Sequence, residues 1–189
     1  MRIIAGEWRG RTIAAPPGDA TRPTSDRTRE TLFNMLASRL GTFEGLSVVD
    51  LFAGSGALGL EALSRGAESC LFVEQESAAV KAIRNNIEKL GAARHSIVQT
   101  GSVFSLGPAK LPHDLILLDP PYGSGAGSVA LDRLARLGWI GSGSWIALET
   151  GRSEAIDLTQ FETIAERTIG KAKLNLLRLA DRTASTALD

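Results

Sequence analysis

The chain has 189 residues, of which 43% are hydrophobic and 22% are charged, as in an ordinary globular domain. Lysine plus arginine balances aspartate plus glutamate at 21 each, so the overall charge indicates no particular partner. The single Cys70 and two histidines argue against a disulfide or a metal site. The sequence has no apolar run of about 18 residues and no signal-peptide core, so we expect a cytoplasmic protein.

The first forty residues differ in character from the rest. Residues 2–14 hold two short apolar runs around a glycine-containing turn, which predicts a β-hairpin. The proline- and glycine-rich residues 16–23 predict a loop. Thr24 or Ser25 then caps a predicted helix that continues to Leu40.

From about Gly45 onwards, predicted strands alternate with predicted helices. The strands are LSVVDLF, SCLFVE, SIVQT, DLILLD and SWIALET. The helices are ALGLEALSRG, a helix that Ser77 caps and Gly91 ends, and SVALDRLARLG. This alternation indicates a mostly parallel sheet that is covered on both faces. FETIAERTIG and AKLNLLRLAD follow each other without a helix, which predicts an antiparallel pair at the sheet edge.

These patterns divide the chain into three parts. We expect an N-terminal extension over 1–23, one α/β domain over 24–182, and a loose tail over 183–189.

The segment DLFAGSGALG joins the first predicted α/β strand to its helix. Gly54, Gly56 and Gly59 fit the spacing G-x-G-x-x-G, which lets a backbone approach a ligand closely at a helix N-terminus. Glu74 ends the next strand, where an acid can bind the hydroxyls of a ribose. This loop fits both NAD and S-adenosylmethionine. Asp50 favours the latter, because a carboxylate repels a pyrophosphate but attracts the ammonium of a methionine moiety.

The segment LILLDPPYGS ends another strand at the same sheet edge. Pro120 and Pro121 stiffen the backbone and remove two N–H donors, which leaves the Asp119 carboxylate and nearby carbonyls as acceptors. Such acceptors can bind the two N–H groups of an exocyclic amine, and Tyr122 can stack on the base that carries it. Transfer of a methyl group to that amine needs alignment rather than a metal or a covalent nucleophile.

Together these segments resemble a known family. DLFAGSGALGLEALSRGA and LLDPPY are similar to class I S-adenosylmethionine-dependent methyltransferases of exocyclic amines. RIIAGEWRGRTI, RPTSDRTRETLFNML and TIGKAKLNLLRL resemble the bacterial 16S rRNA (guanine-N2)-methyltransferase family. The resemblance implies a Rossmann-like α/β fold with a seven-stranded, mostly parallel sheet whose last strand is antiparallel. It also implies S-adenosylmethionine as cofactor and 16S rRNA, within the small ribosomal subunit or a late assembly particle, as partner. Separately, we expect a monomer, because no additional apolar helix face stands out in the sequence.

The family's functional positions map onto this sequence as expectations. The catalytic set is Asp119, Pro120, Pro121 and Tyr122, which would face the guanine. The cofactor set is Asp50, Phe52, Ala53, Gly54, Ser55, Gly56, Glu74, Ser102, Val103 and Asp119. Within the cofactor set, the glycine loop would bind the methionine moiety and Glu74 would bind the ribose. Ser102 is the nearest candidate for contacting the adenine.

Arginines are concentrated at the start of the chain. The first 29 residues contain six arginines and three acidic residues. Arginine suits phosphates and base stacking, and the indole between two of these arginines could stack on a nucleotide. The expected RNA-binding residues are Arg2, Trp8, Arg9, Arg11, Arg22, Arg27 and Arg29.

Other functions fit parts of the pattern. The DPPY segment alone also fits an adenine-N6 or cytosine-N4 methyltransferase. An RNA-binding assembly factor with an inactive methyltransferase fold is a second alternative. A nicotinamide oxidoreductase fits the glycine loop but leaves DPPY unexplained.

Overall fold

Strands and helices alternate along most of the protein, for which a computed structural model describes residues 1–16, 25–156 and 159–180. The helices are α1 (Asp26–Leu40), α2 (Ala57–Ser64), α3 (Ser77–Leu90) and α4 (Ala126–Arg136). The strands are β1 (Ser47–Leu51), β2 (Ser69–Glu74), β3 (Ser96–Thr100), β4 (His113–Leu118), β5 (Ile140–Gly151), β6 (Phe161–Ile169) and β7 (Ala172–Leu179). Every strand that the pattern predicted from residue 45 onwards is therefore present.

The strands form one seven-stranded sheet in the order β3-β2-β1-β4-β5-β7-β6. Neighbours among β1 to β5 are parallel, whereas β7 is antiparallel to both β5 and β6. The expected fold class, a Rossmann-like mostly parallel sheet with an antiparallel last strand, is confirmed. The strand order reverses between β1 and β4, and sheets of this kind bind ligands beyond the carboxyl ends of the strands at such a point.

The sheet separates two hydrophobic clusters. Along β1, Val48 packs into the cluster beneath α1, α2 and α3, and Val49 packs into the cluster beneath α4. This alternation follows from the two-residue period of a strand, since both faces of a parallel sheet are covered here. The helices on both faces hold the strand ends, and the loops that follow them, in fixed positions.

Two helix starts were predicted from capping residues. Ser25 does cap α1, because its side chain accepts a hydrogen bond from the backbone N–H of Thr28 at 3.1 Å. The predicted cap at Ser77 is wrong: α3 already begins at Ser77, and Glu76 occupies the cap position without a side-chain bond. Gly91 ends α3 as predicted, in the left-handed conformation that glycine adopts most readily.

The predicted N-terminal hairpin is reduced to one antiparallel bridge between Arg2 and Thr12. Ile3 still donates to the carbonyl of Arg11 at 3.0 Å, but Ile4 and Ala5 donate to the Glu61 carboxylate of α2 at 2.7 and 3.0 Å. Ile3, Trp8 and Ile13 belong to the same core cluster as α1 to α3. The extension thus packs against the α/β domain. The proposed domain boundaries stay a prediction, and the tail expected at 183–189 lies outside the described residues.

In the described ranges, no helix is long and apolar enough to cross a membrane. Over the same ranges, no group of histidine, cysteine, aspartate and glutamate is arranged to hold a metal ion.

Candidate active site

The glycine loop between β1 and α2 turns sharply through left-handed backbone conformations. Gly54 and Gly56 have φ angles of 56° and 77°, and Phe52 adopts φ 59°, which is rare for a bulky residue. Gly59 serves packing instead, because a Cβ there would lie 2.6 Å from the sulfur of Cys70 and closer still to the ring of Phe72. The glycines therefore let the loop turn and let α2 lie directly on β2.

Glu74, at the end of β2, fixes this loop through its carboxylate. Oε2 accepts the backbone N–H of Gly54 at 2.8 Å, and Oε1 accepts those of Gln75 and Glu76 at 2.7 and 2.9 Å. A carboxylate offers about four acceptor positions. Three are filled by the backbone, so one position on Oε2 is left for a further donor.

Asp50 lies in β1 directly beneath the loop and is 1% exposed. Its Oδ2 accepts the backbone N–H of Gly59 at 2.8 Å. Burial raises the pKa of Asp50 well above its usual value; the Gly59 hydrogen bond opposes this shift, and the charges of Asp119 and Glu74 add to it. The buried carboxyl is therefore a group whose ionisation a neighbouring cation would favour.

The second loop follows β4 and contains the Asp-Pro-Pro-Tyr segment. Pro120 is buried while Pro121 is exposed, and the Ser124 hydroxyl donates to the carbonyl of Pro121 at 2.5 Å. The hydroxyl of Tyr122 donates to Glu149, which lies in the adjacent strand β5 and is 4% exposed. The ring of Tyr122 is thus held by its hydroxyl while 40% of the residue stays exposed to a ligand.

Both loops open into one cavity of about 800 Å³. From the sequence-predicted catalytic and cofactor sets, the residues that line it are Asp50, Phe52, Ala53, Gly54, Ser55, Glu74, Ser102, Val103, Asp119, Pro120, Pro121 and Tyr122. Gly56 does not line the cavity; it takes the left-handed cap position of α2. Ser102 caps a short 3-10 helix (Val103–Ser105), because its hydroxyl oxygen accepts the N–H of Phe104 at 3.2 Å.

Sequence reasoning missed two lining residues that bear on function: Glu149 and Phe104. Glu149 could have been found, because it is an acid near the end of a buried strand and follows Leu148, which pairs with the Leu118 that precedes Asp119. Phe104 packs edge-on against Phe52 at 6.1 Å between ring centroids and adds an aromatic wall. Its sequence neighbours carry no pattern that would have indicated this role.

Two members of the expected RNA-binding set are in the protein interior. Trp8 is 8% exposed and packs in the core, so its indole is not available for stacking on a nucleotide. Arg29 is 0% exposed and forms ion pairs with Asp26 at 3.0 Å and Glu61 at 3.8 Å. The predictions for Trp8 and Arg29 are therefore wrong, because Trp8 packs among apolar core residues and Arg29 is paired with acidic side chains.

The other arginines of that set lie at the surface, apart from Arg22, which falls outside the described residues. Arg2, Arg9 and Arg27 are exposed, and Arg2 lies 3.9 Å from Asp26. Arg11 donates to the carbonyls of Leu90, at 3.3 Å, and Lys89 at the end of α3. Arg11 thus ties the N-terminal segment to α3.

Comparison with known proteins gives the same assignment as the sequence motifs. The family model described as "Conserved hypothetical protein 95" matches residues 1–178. Ribosomal RNA small subunit methyltransferase D of Escherichia coli strain K12 is 38% identical over 150 residues, which cover 79% of this chain and 74% of that protein. The Haemophilus influenzae protein of the same name is 35% identical over 175 residues, which cover 90% and 89%.

A solved structure has the same fold over nearly the whole length. It is that of Escherichia coli yhhF, described as a candidate methyltransferase, with 33% identity, a TM-score of 0.81, and coverage of 95% of this chain and 97% of that one. The chain therefore belongs to the conserved hypothetical protein 95 family, and its resemblance to the 16S rRNA methyltransferases is confirmed.

Proposed function

We propose that this protein transfers a methyl group from S-adenosylmethionine to the exocyclic N2 amine of a guanine in 16S rRNA. The substrate is the small ribosomal subunit or one of its assembly intermediates, and the enzyme acts as a monomer in the cytoplasm. Relatives named as small-subunit rRNA methyltransferases support the RNA class. The chemistry of the cavity supports an exocyclic amine as acceptor, and the choice of guanine N2 rests on the family resemblance.

One observation carries the proposal: the glycine loop after β1 and the Asp-Pro-Pro-Tyr loop after β4 line the same cavity. Because β1 and β4 are neighbours in the sheet, their loops lie side by side at the carboxyl edge. A methyl donor on the first loop would thus lie beside a base held by the second. This proximity is the main requirement of a direct methyl transfer.

The residues of the cavity fit a cationic, adenosine-containing cofactor. Its volume of about 800 Å³ lies within the range of small-molecule sites, about 300–1,000 Å³. Asp50 and Asp119 lie near the glycine loop and favour a positively charged methionine moiety over a pyrophosphate. When bound, S-adenosylmethionine supplies a methyl group that its sulfonium already activates.

Glu74 is the proposed ribose contact. The one acceptor position left on Oε2 suits a single ribose hydroxyl rather than both. Ser102 and Val103 line the cavity beyond Glu74 and are the proposed adenine contacts, with Phe104 as an aromatic neighbour.

The second loop is the proposed base site. Asp119 and a backbone carbonyl accept the two N–H groups of the guanine amine, so that the nitrogen lone pair points at the methyl group. The two prolines keep these acceptors in place, and Tyr122, held by Glu149, stacks on the base. After the transfer the methylated amine loses one proton, to water or to a carboxylate of the cavity.

The decisive experiment incubates the protein with labelled S-adenosylmethionine and small subunits from cells that lack the enzyme, and then digests the RNA to nucleosides. We expect the label in N2-methylguanosine. Label in N6-methyladenosine or N4-methylcytidine would replace guanine by the alternative base. RNA binding without any label would instead favour an inactive assembly factor.

A variant tests the role of Asp119. Asp119→Ala should largely keep its affinity for the cofactor, because Asp50 and the glycine loop remain, but should lose turnover by about 100-fold or more, because it removes an aligning acceptor. Asp132→Ala, on the exposed side of α4, is the control and should change neither quantity. If cofactor affinity falls as far as turnover does, Asp119 serves the cofactor or the fold.

A further inference from the structure

A second cavity of about 590 Å³ lies between α1 and the β6–β7 hairpin. We call it the α1–β6 groove. Its lining residues are Arg27, Thr31, Asn34, Met35, Ser38, Arg167, Thr168, Ile169 and Gly170. The α1 residues recur at the spacing of one helix face, and the others form a continuous stretch at the end of β6. The groove is therefore built from two elements that pack on each other.

The lining of the groove has the chemistry of a phosphate site. Arg27 and Arg167 are exposed, and hydroxyl and amide side chains lie between them. No acidic residue occurs among the described residues that line it. Arginine binds phosphate through a fixed fork of N–H donors, and hydroxyl and amide groups are common supporting contacts to nucleic-acid backbones.

The acidic neighbours of these two arginines are engaged with other cations. Asp26 forms an ion pair with Arg29 at 3.0 Å, and Glu166 forms one with Lys173 at 2.8 Å. Their negative charge is therefore largely compensated by partners outside the groove. The described lining of the groove thus carries two positive charges and no negative one, although the chain as a whole has a formal net charge of zero.

The groove joins the active-site cavity. Ile169 and Gly170, at the turn between β6 and β7, line both. The first turn of α1 lies along the same junction, since Thr28 lines the active-site cavity while Arg27 lines the groove. The groove and the active-site cavity are therefore adjacent, so a chain that places one nucleotide in the active site can extend towards the groove.

We infer that the α1–β6 groove binds the sugar-phosphate backbone of single-stranded RNA next to the target nucleotide, with Arg27 and Arg167 as the phosphate contacts. This inference rests on the proposed function. A base must be unstacked and unpaired before its amine can enter the active-site cavity, so the adjoining nucleotides are single-stranded as well. The groove volume of about 590 Å³ is of the size that holds a small ligand such as a nucleotide.

The test measures binding of a single-stranded oligouridylate at several salt concentrations. In the double variant Arg27→Ala/Arg167→Ala, we expect the affinity for the oligouridylate to fall about tenfold. The slope of log K against log salt should become shallower by about 1.4, because each phosphate contact on a single strand contributes about 0.7 to that slope. Arg167→Lys keeps the charge and should lose less. Arg84→Ala is the control: Arg84 is exposed on α3, which covers the opposite end of the sheet.

Two further readouts separate this inference from the proposed function. In the double variant, the affinity for S-adenosylmethionine should not change, and the KM for small subunits should rise while kcat changes less than twofold. An unchanged salt slope, or an equal loss in Arg84→Ala, would overturn the inference. A higher KM with unchanged oligouridylate binding would also overturn it, because the groove would then contact a ribosomal protein. If the wild-type protein methylates no rRNA, the proposed function fails, and the oligouridylate titration still decides on the groove.

Discussion

Replacing Glu61 by glutamine should destabilise the protein and release its N-terminal segment. Glu61 is 0% exposed in α2, and its carboxylate accepts the N–H groups of Ile4 at 2.7 Å and Ala5 at 3.0 Å. The Glu61 carboxylate also accepts a hydrogen bond from Nε of Arg65 at 2.8 Å, and it lies 3.8 Å from Nε of the buried Arg29. The glutamine side chain keeps the shape but removes the charge and places an NH2 group among donors.

The expected loss follows from these contacts. Breaking a buried ion pair from one side costs about 3–5 kcal/mol, and each buried donor left without a partner costs about 1–3 kcal/mol. These costs do not add fully, and Asp26 still compensates Arg29. We therefore expect a decrease of about 3 kcal/mol in the free energy of unfolding, which is a large part of the 5–15 kcal/mol typical of a domain.

Urea unfolding, followed by the fluorescence of the buried tryptophans, measures this decrease. Hydrogen exchange should show faster exchange at the amides of Ile4 and Ala5 than in the wild type. The affinity for the cofactor should fall too, because Met1, Ala15 and Pro16 line the active-site cavity. Glu88→Gln, on the exposed face of α3, is the matched control and should change the stability by less than about 0.5 kcal/mol.

The reasoning would be refuted by a decrease below about 1 kcal/mol together with unchanged protection of the two amides. Such a result would mean that the N-terminal segment is held by apolar packing, and that the Glu61 network contributes little.

Three more changes have defined outcomes. Gly59→Ala should destabilise the protein by about 1–3 kcal/mol in urea unfolding, because the added methyl group meets the ring of Phe72; an unchanged midpoint would show that α2 can shift at little cost. Asp50→Asn should stabilise the ligand-free protein at neutral pH and weaken S-adenosylmethionine binding. Because the pKa of Asp50 is higher in the folded than in the unfolded protein, its stabilising contribution is complete below the unfolded-state pKa, near 3.8, and is lost as the pH rises through the folded-state pKa. Between these two pKa values, thermal unfolding of the variant should therefore depend less on pH than that of the wild type. Glu149→Leu should raise the KM for small subunits about tenfold without changing cofactor affinity, because it removes the hydrogen bond that holds Tyr122. Adding Tyr122→Phe to this variant should raise the KM little further, since it removes the same hydrogen bond; additive losses would show independent roles.

The α/β domain was predictable because its signals are local. Strands β1, β2 and β4 each contain a short apolar run that is visible without knowledge of distant residues. The glycine loop and the Asp-Pro-Pro-Tyr segment were placed correctly at one edge, because parallel strands bring their carboxyl ends together. The lining residues on these two loops therefore followed from strand order and motif spacing, whereas Glu149 and Phe104 did not.

The N-terminal segment was predicted less well because its partners are remote in sequence. The amides of Ile4 and Ala5 bind Glu61, more than fifty residues away. Arg29 was counted as a surface cation for the same reason, since its ion pair with Glu61 cannot be seen in the local pattern. Charge counting finds where cations are concentrated, but only the fold shows which of them are neutralised.

The distribution of charge suggests how one neutral chain could bind both a cation and a polyanion. Asp50, Glu74, Asp119 and Glu149 line the active-site cavity, where their negative charge opposes entry of a phosphate but not of an uncharged base. Arg27 and Arg167 lie outside that cavity, in the adjoining groove. In the proposed reaction, then, the base enters among the acids while the phosphates stay with the arginines. Asp50 and Asp119, which attract a cationic methyl donor, would thus also help to keep the RNA backbone out of the active site.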